Sequence, residues 1–533
     1  MQHGQTADYC LFSQARMTDE SSNPAEHLAD ASILAVADWL AAIGAANDPV
    51  DHGELLHQLV ALRDSTAPDS IRKHLFDRLH AQAGRLVLGE IANLREISLP
   101  VSRDLRQRAN LIQEALDLLI NAHLDFVSGS PGPSGARPSR PLLPTLRRLL
   151  QCIGWHVLIS QFIAAPQSPG IWRQLHAAYL AARRLGLANT PSGPAGSTIE
   201  HAYTRILLAA IAQPASFSAV ELAFIADYIG RCITPVDILE SPPSDRKGVF
   251  WIDPGKDFPA QAMLRRKPAS DVSGLYFACD LVARDVRNHL AELARGRPAT
   301  SLGIPELADS RAGLGVLRRL ANLWGNPSTR KFSRRHRSYR VHLYAGLQQV
   351  WTLLRRNPDR AQLSEWMVTN ESPDGYALMH IAGATDHLHV GDLVAIQLAE
   401  EHQDQAPSWH IGIVRWAISE NQAHIELGIE QLAAAAIAAE VIAAPSSGAA
   451  PVRALLLPET PSVRTSPLLI GKAGSFSSRE GQLMLLGDDG TVIINTVRLG
   501  ALVDQTLRIE LFSAVPAERP SPQSSHQTGS PPS

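Results

Sequence analysis

Cysteine is scarce in this chain: four residues in 533, at Cys10, Cys152, Cys232 and Cys279. They lie far apart and none forms a C-x-x-C pair, so the sequence indicates neither a disulfide framework nor a zinc cage built from these four. Buried or idle thiols in a reducing compartment are the expectation. An excess of one charge is also lacking. The net charge is -3 and the pI near 6.7, which argues against a protein that mainly coats nucleic acid, since such chains are usually basic. Charged residues make up 19%, below the usual fraction of about 25%. Long apolar runs are missing as well. No stretch approaches the ~18 uninterrupted apolar residues of a membrane span; the alanine-rich run Leu432–Ala444 is short and Glu440 interrupts it. The first twenty residues hold no basic segment followed by an apolar core, so no secretory signal is read there. A soluble cytoplasmic protein without a membrane span follows by elimination.

Motifs of catalysis are equally sparse. Gly471-Lys472 sits in LIGKAGSF, which does not have the phosphate-loop spacing G-x-x-x-x-G-K-[ST]. Neither G-x-S-x-G nor H-E-x-x-H occurs, and no local Ser/His/Asp arrangement suggests a triad. Asp386, His387 and His389 bring two histidines to one strand face, but no further ligand stands at a telling spacing, and a surface turn is the reading. The sequence therefore predicts no enzyme, no metal and no cofactor.

What the chain does have is 45% hydrophobic residues, enough for real cores, and a length that suits two to four domains. Residues 1–24 read as a flexible N-terminus and residues 25–325 as an irregular all-α region. Trp172, Leu175, His176, Tyr179 and Leu180 fall on one helical face. Ser218 and Glu221 fit a capping box, with Phe217 and Leu222 as the accompanying hydrophobic staple. Further helices are expected at Ala31–Ile43, Asp104–Val127, Leu146–Phe162, Ala202–Ala212, Gly274–Leu293 and Leu314–Leu323. Ser128–Pro141 and Asn189–Ser197, rich in Pro, Gly and Ser, read as loops. No steady period supports internal repeats.

The pattern changes near Asn326. From Val341 onward, period-two alternation predicts an antiparallel β-barrel, with strands in Asp392–Leu398, Trp409–Trp416 and His424–Ile429 and a helix at Gln431–Ala443 closing the sheet. The barrel domain is drawn as 326–443. Residues 451–515, after the linker APSSGAAP, read as a further small β segment with a hairpin turn at Asp488-Asp489-Gly490. The tail 516–533 reads as disordered. The fold class is multi-domain α+β.

Two features carry chemistry. The run Ser328–Val341 holds Arg330, Lys331, Arg334, Arg335, Arg337 and Arg340, read as a flexible cationic arm. Guanidinium groups make forked hydrogen bonds to phosphate oxygens and stack on flat rings. The stretch Asn370–Gly375 has the form N-x-S-x-x-G. Asn370 offers an amide to a purine edge and Ser372 a hydroxyl, while Gly375 permits a turn that a side chain would obstruct.

In this order the two features resemble the PilZ family, whose signature is an R-x-x-x-R arm followed by a β-barrel with D/N-x-S-x-x-G at the end of an early strand. WHIGIVRW and HIELGIE resemble its later strands, and the likeness covers about 328–443. The second element fits at Asn370, Ser372 and Gly375. The first is ambiguous: Arg335 and Arg340 are one residue too far apart, His336 stands where the first arginine belongs, and Arg330 and Arg334 have the spacing but lie further from the barrel.

The resemblance implies a cytoplasmic second-messenger receptor for cyclic-di-GMP, often bound by the family as an intercalated dimer. Its implied site is Arg334, Arg335, His336, Arg337, Arg340, Asn370, Ser372 and Gly375. Its implied output is a domain rearrangement relayed to a protein partner through the helical region, in motility, pili or biofilm control. The alternative is a degenerate scaffold that binds proteins without nucleotide. No DNA or RNA partner is expected.

Overall fold

The computed structural model describes residues 24–46, 50–95, 97–128, 142–192, 196–266, 274–327, 332–355, 363–385, 387–399, 409–421, 423–443, 451–459, 466–476, 480–486 and 492–516. The chain divides into two compact units. One comprises residues 1–93, 104–159 and 174–203, the other residues 94–103, 160–173 and 204–533.

The first unit is helical. It draws on α1 (Pro24–Ala46), α2 (His52–Arg63), α3 (Asp69–Leu94), α4 (Arg103–Ser128), α5 (Leu142–Phe162), α6 (Ile171–Arg184) and the start of α7 (Ile199–Ile211). Its core is aliphatic, with Leu59, Leu79, Val87, Leu116, Leu119, Leu146 and Ile153 all buried. The face predicted on α6 is the buried one: Leu175, His176 and Tyr179 are inaccessible. Tyr179 stacks on Tyr203 at 4.1 Å and donates its hydroxyl to Glu200, while His176 Nδ1 lies 2.8 Å from the Tyr203 hydroxyl. Polar groups buried in this way need such partners.

The second unit contains α8 (Ala219–Cys232), α9 (Asp280–Ala294), α10 (Arg311–Gly325), α11 (Leu347–Arg355), a small sheet and two barrels. The capping box that opens α8 is present, with Glu221 N–H donating to Ser218 Oγ and Ser218 N–H to Glu221 Oε2. The all-helical expectation for 25–325 needs correction here. β1 (Val249–Ile252), β2 (Gln261–Ala262) and β3 (Leu275–Ala278) form a three-stranded antiparallel sheet, and α9 starts at Asp280 rather than Gly274. These strands have at most four residues, too few for alternation to register. Phe250, Trp251 and Phe277 are buried in them.

The first barrel runs β4 (Arg335–Ala345), β5 (Ser364–Ser372), β6 (Gly375–Ala382), β7 (Leu393–Leu398), β8 (His410–Ser419) and β9 (Ile425–Ala433). It closes in the order β4-β5-β6-β9-β8-β7. The second runs β10 (Ile437–Ala443), β11 (Val452–Leu457), β12 (Leu468–Lys472), β13 (Glu480–Leu486), β14 (Val492–Gln505) and β15 (Ile509–Pro516). It closes as β10-β11-β12-β15-β14-β13. Both orders reduce to 1-2-3-6-5-4, so the second barrel repeats the topology of the first.

This overturns one expectation and moves a boundary. Gln431–Ala443 is no helix: it ends β9 and supplies β10, which pairs with β11 on one side and β13 on the other. The further β segment expected at 451–515 is present and forms a second barrel, with β10 as its opening strand, so the boundary between the barrels falls before Ile437 rather than after Ala443. The predicted turn Asp488-Asp489-Gly490 and most of the tail lie outside the described residues, as do residues 1–23, 129–141 and 193–195.

The barrels share a core. Tyr344, Leu393, Ala395, Ile411 and Ile413 of the first meet Leu455, Leu457, Ile470 and Leu511 of the second, with Val350 and Leu353 of α11 between them. Strand β7 is expected from alternation as a strand with one buried face, but Leu393, Val394, Ala395 and Ile396 are all buried, so both of its faces are covered. Trp351 of α11 donates its indole N–H to the Ala439 carbonyl at 2.9 Å, and Arg453 stacks on its ring. On another side, Arg311 of α10 pairs with the fully buried Glu510 at 3.1 Å.

Candidate functional site

The site grows from the β5–β6 hairpin. Ser372 and Gly375 are register partners that close the two-residue turn Pro373-Asp374. The Ser372 hydroxyl lies within reach of the Asp374 carboxylate and, at 3.2 Å, of the Gly375 carbonyl. The Asp374 carbonyl accepts from Gln431 N–H at 2.9 Å, which ties the turn to β9. Gly375 is required by that neighbouring strand: a Cβ there would overlap the Ile429 carbonyl oxygen. Across the next pair, Trp416 stands opposite Gly428, and a Cβ at Gly428 would overlap the indole. The missing side chain lets the indole lie against the backbone of β9.

A cleft of about 210 Å³ opens here, lined by Phe332, Arg334, Ser372, Asp374, Gly375 and Tyr376, and by Arg415, Trp416, Gly428, Ile429 and Glu430. Phe332 is 47% exposed and Arg334 is exposed. Arg415 pairs with Glu430 at 2.7 Å and also with Asp504 of the second barrel. Burial works against the charge on Arg415, but Glu430 and Asp504 outweigh it and hold the guanidinium above its ordinary value. Tyr376 lies 3.0 Å from His410 Nδ1 and 3.1 Å from Gln431. Burial, and after it the Glu371 charge, push its phenol upward.

Of the sequence-predicted residues, the cleft brings together Arg334, Ser372 and Gly375. Arg335, His336, Arg337, Arg340 and Asn370 do not line it. The expectation of a flexible arm is corrected from Arg335 onward. Those residues are in β4, with Arg335 opposite Glu371 and His336 opposite Asn370. The reason is visible in the charges. Arg337 pairs with Glu371 at 3.2 Å and Arg340 with Glu365 at 2.8 Å, so acidic residues of β5 neutralise the basic strand. Arg334 and Arg335 have no ion pair among the described residues. Arg330 and Lys331 lie outside them, as does Asp386 of the DHLHV turn; in that turn His389 faces Asp392 at 3.3 Å.

The residues that sequence reasoning missed are Phe332, Asp374, Tyr376, Arg415, Trp416 and Glu430. One signal was available: an aromatic placed across an antiparallel pair from a glycine, here Trp416 opposite Gly428, is a known sheet device.

Two family models match the chain. One, described as the N-terminal domain of the cyclic-di-GMP receptor FimW, covers residues 34–243. The other, described as the middle PilZ domain of the same receptor, covers residues 352–437. Residues 352–437 thus form a PilZ domain. The PilZ match holds Asn370, Ser372 and Gly375 together with Arg415, Trp416 and Glu430, whereas Arg334–Arg340 precede it. The matched family is one of receptors, not of enzymes. No curated protein matches the chain. Among the described residues no helix is long and apolar enough to cross a membrane.

Proposed function

We propose that this chain is a cytoplasmic receptor for cyclic-di-GMP, which binds at the cleft beside the β5–β6 hairpin of the PilZ barrel. The observation that carries this reading is the convergence of Arg334 with Ser372, Gly375 and Trp416 on one cleft. The ligand offers two phosphodiesters and two guanines. Arg334, with Arg335 next to it, supplies forked donors for phosphate. Trp416 and Phe332 supply flat apolar faces on which a base stacks. Asp374 and Glu430 are acceptors for the N1–H and N2–H groups of a guanine edge. No bond is broken, so no general acid or nucleophile is called for.

The relay runs through Arg415. Its guanidinium touches both the cleft and Asp504 of the second barrel. A bound phosphate competes with Asp504 for that guanidinium, so the bound and free states differ in the contact between the barrels. Such a differential contact is what a ligand-driven rearrangement requires. Arg319 of α10 feels both Arg415 and Asp504, which extends the relay to a helix and from there to a protein partner in motility, pili or biofilm control.

The rival reading, a protein-binding scaffold without nucleotide, is favoured by the occupied state of Arg337 and Arg340. Calorimetry with cyclic-di-GMP on the full chain separates the two. Micromolar or tighter binding, weakened by Ser372→Ala and not reproduced by GTP, supports the receptor. No heat at high ligand concentration supports the scaffold.

A further inference from the structure

The helical unit holds a polar cluster that the nucleotide site does not use. His80 of α3, His123 of α4 and Cys152 of α5 converge in its interior. His123 and Cys152 are fully buried and His80 nearly so. One donor atom from each lies within 4.8 Å of the other two. Among the described residues this is the one such group of three.

The hydrogen bonds fix how His80 presents itself. Its Nε2 lies 3.2 Å from Gln151 Oε1, which only accepts, so Nε2 carries the proton. The lone pair then sits on Nδ1, 3.2 Å from Cys152 Sγ. A histidine whose far N–H is held by an acceptor while its near nitrogen faces a thiol has the outer-shell arrangement of a metal ligand. A thiol-to-imidazole hydrogen bond accounts for His80 and Cys152 without a metal, but it leaves His123 unexplained. Neither ring nitrogen of His123 has a hydrogen-bond partner among the described residues. A buried polar group without a partner is unfavourable, and a leucine would fill the place without that cost.

We propose that His80, His123 and Cys152 form a buried structural site for a borderline-soft divalent metal, zinc first, that ties α3, α4 and α5 together. Two imidazole nitrogens and one sulfur suit zinc and exclude magnesium or calcium, which demand oxygen. Three protein ligands leave one coordination position for a small ligand such as water. Imidazole binds a metal in its neutral form and cysteine as the thiolate, so the Cys152 proton must leave as the metal–sulfur bond forms. Each ion bound therefore releases one proton to solvent. The nearby cation Arg148 is paired with Asp77 at 3.0 Å, which reduces its opposition to a bound ion.

Cobalt(II) titration of the full-length protein tests this. The expected result is uptake of about one ion per chain, with a near-ultraviolet thiolate-to-cobalt band and tetrahedral visible bands, both removed by zinc. Cys152→Ala loses the near-ultraviolet band, and His123→Leu weakens uptake by at least about tenfold, with far-ultraviolet circular dichroism checking that both variants fold. Wild-type protein that shows no thiolate band in excess cobalt and no rise in melting temperature with zinc overturns the proposal, whatever the variants do. So does uptake undiminished in two folded variants.

Discussion

The two barrels share a strand order and a core, yet among the described residues the cleft proposed for the nucleotide is lined by the first barrel. In the first, Arg334 and Arg335 lead into the opening strand, and a two-residue turn joins strands two and three. In the second, the opening strand follows Ala434-Ala435-Ala436, and strands two and three are separated by residues 458–467. A barrel of this topology is thus a frame, and the chemistry lies in what decorates one end of it. The second barrel contributes through contact: it supplies Asp504 to Arg415 and one wall of the shared core.

Four substitutions break or sharpen this contrast. The largest effect is expected from Gly375→Ala. It forces a methyl group onto the Ile429 carbonyl, lowering stability by about 1–3 kcal/mol in urea unfolding and removing the heat of cyclic-di-GMP binding. Trp416→Ala removes the stacking face and lowers affinity by about 1–3 kcal/mol per stacked base, read by calorimetry. Asp504→Asn frees Arg415 for the ligand, and affinity rises by about fivefold; an unchanged constant would show that the barrels are not coupled through this pair. Arg453→Ala, in the second barrel, alters packing on Trp351 and leaves the affinity where it was.

Much of this was legible in the sequence, for physical reasons that differ by residue. Ser218 and Glu221 announce a helix start because the capping box is local, closed within four residues. Ser372 and Gly375 are legible because a tight hairpin is local too. Arg415, Trp416 and Glu430 reach the same cleft only through the β6–β9 and β8–β9 pairings, which no local pattern specifies. The alanine-rich stretch after Gln431 misleads for the opposite reason. Alanine favours helix, but two flanking strands offer Ile437–Ala443 a full set of backbone hydrogen bonds, and closure of the barrel overrides the local preference. The basic run misleads in part: counting arginines does not reveal that Glu371 and Glu365 form ion pairs with two of them.

The central claim is that the cleft-facing Arg334 grips the ligand, while Arg340, held by Glu365, does not. Calorimetric titration of the full chain with cyclic-di-GMP, comparing Arg334→Ala with Arg340→Ala, tests it most directly. The expected result is a loss of roughly ten- to a hundredfold for the first and a change of less than about twofold for the second. Equal losses, or a larger loss at Arg340, would contradict it.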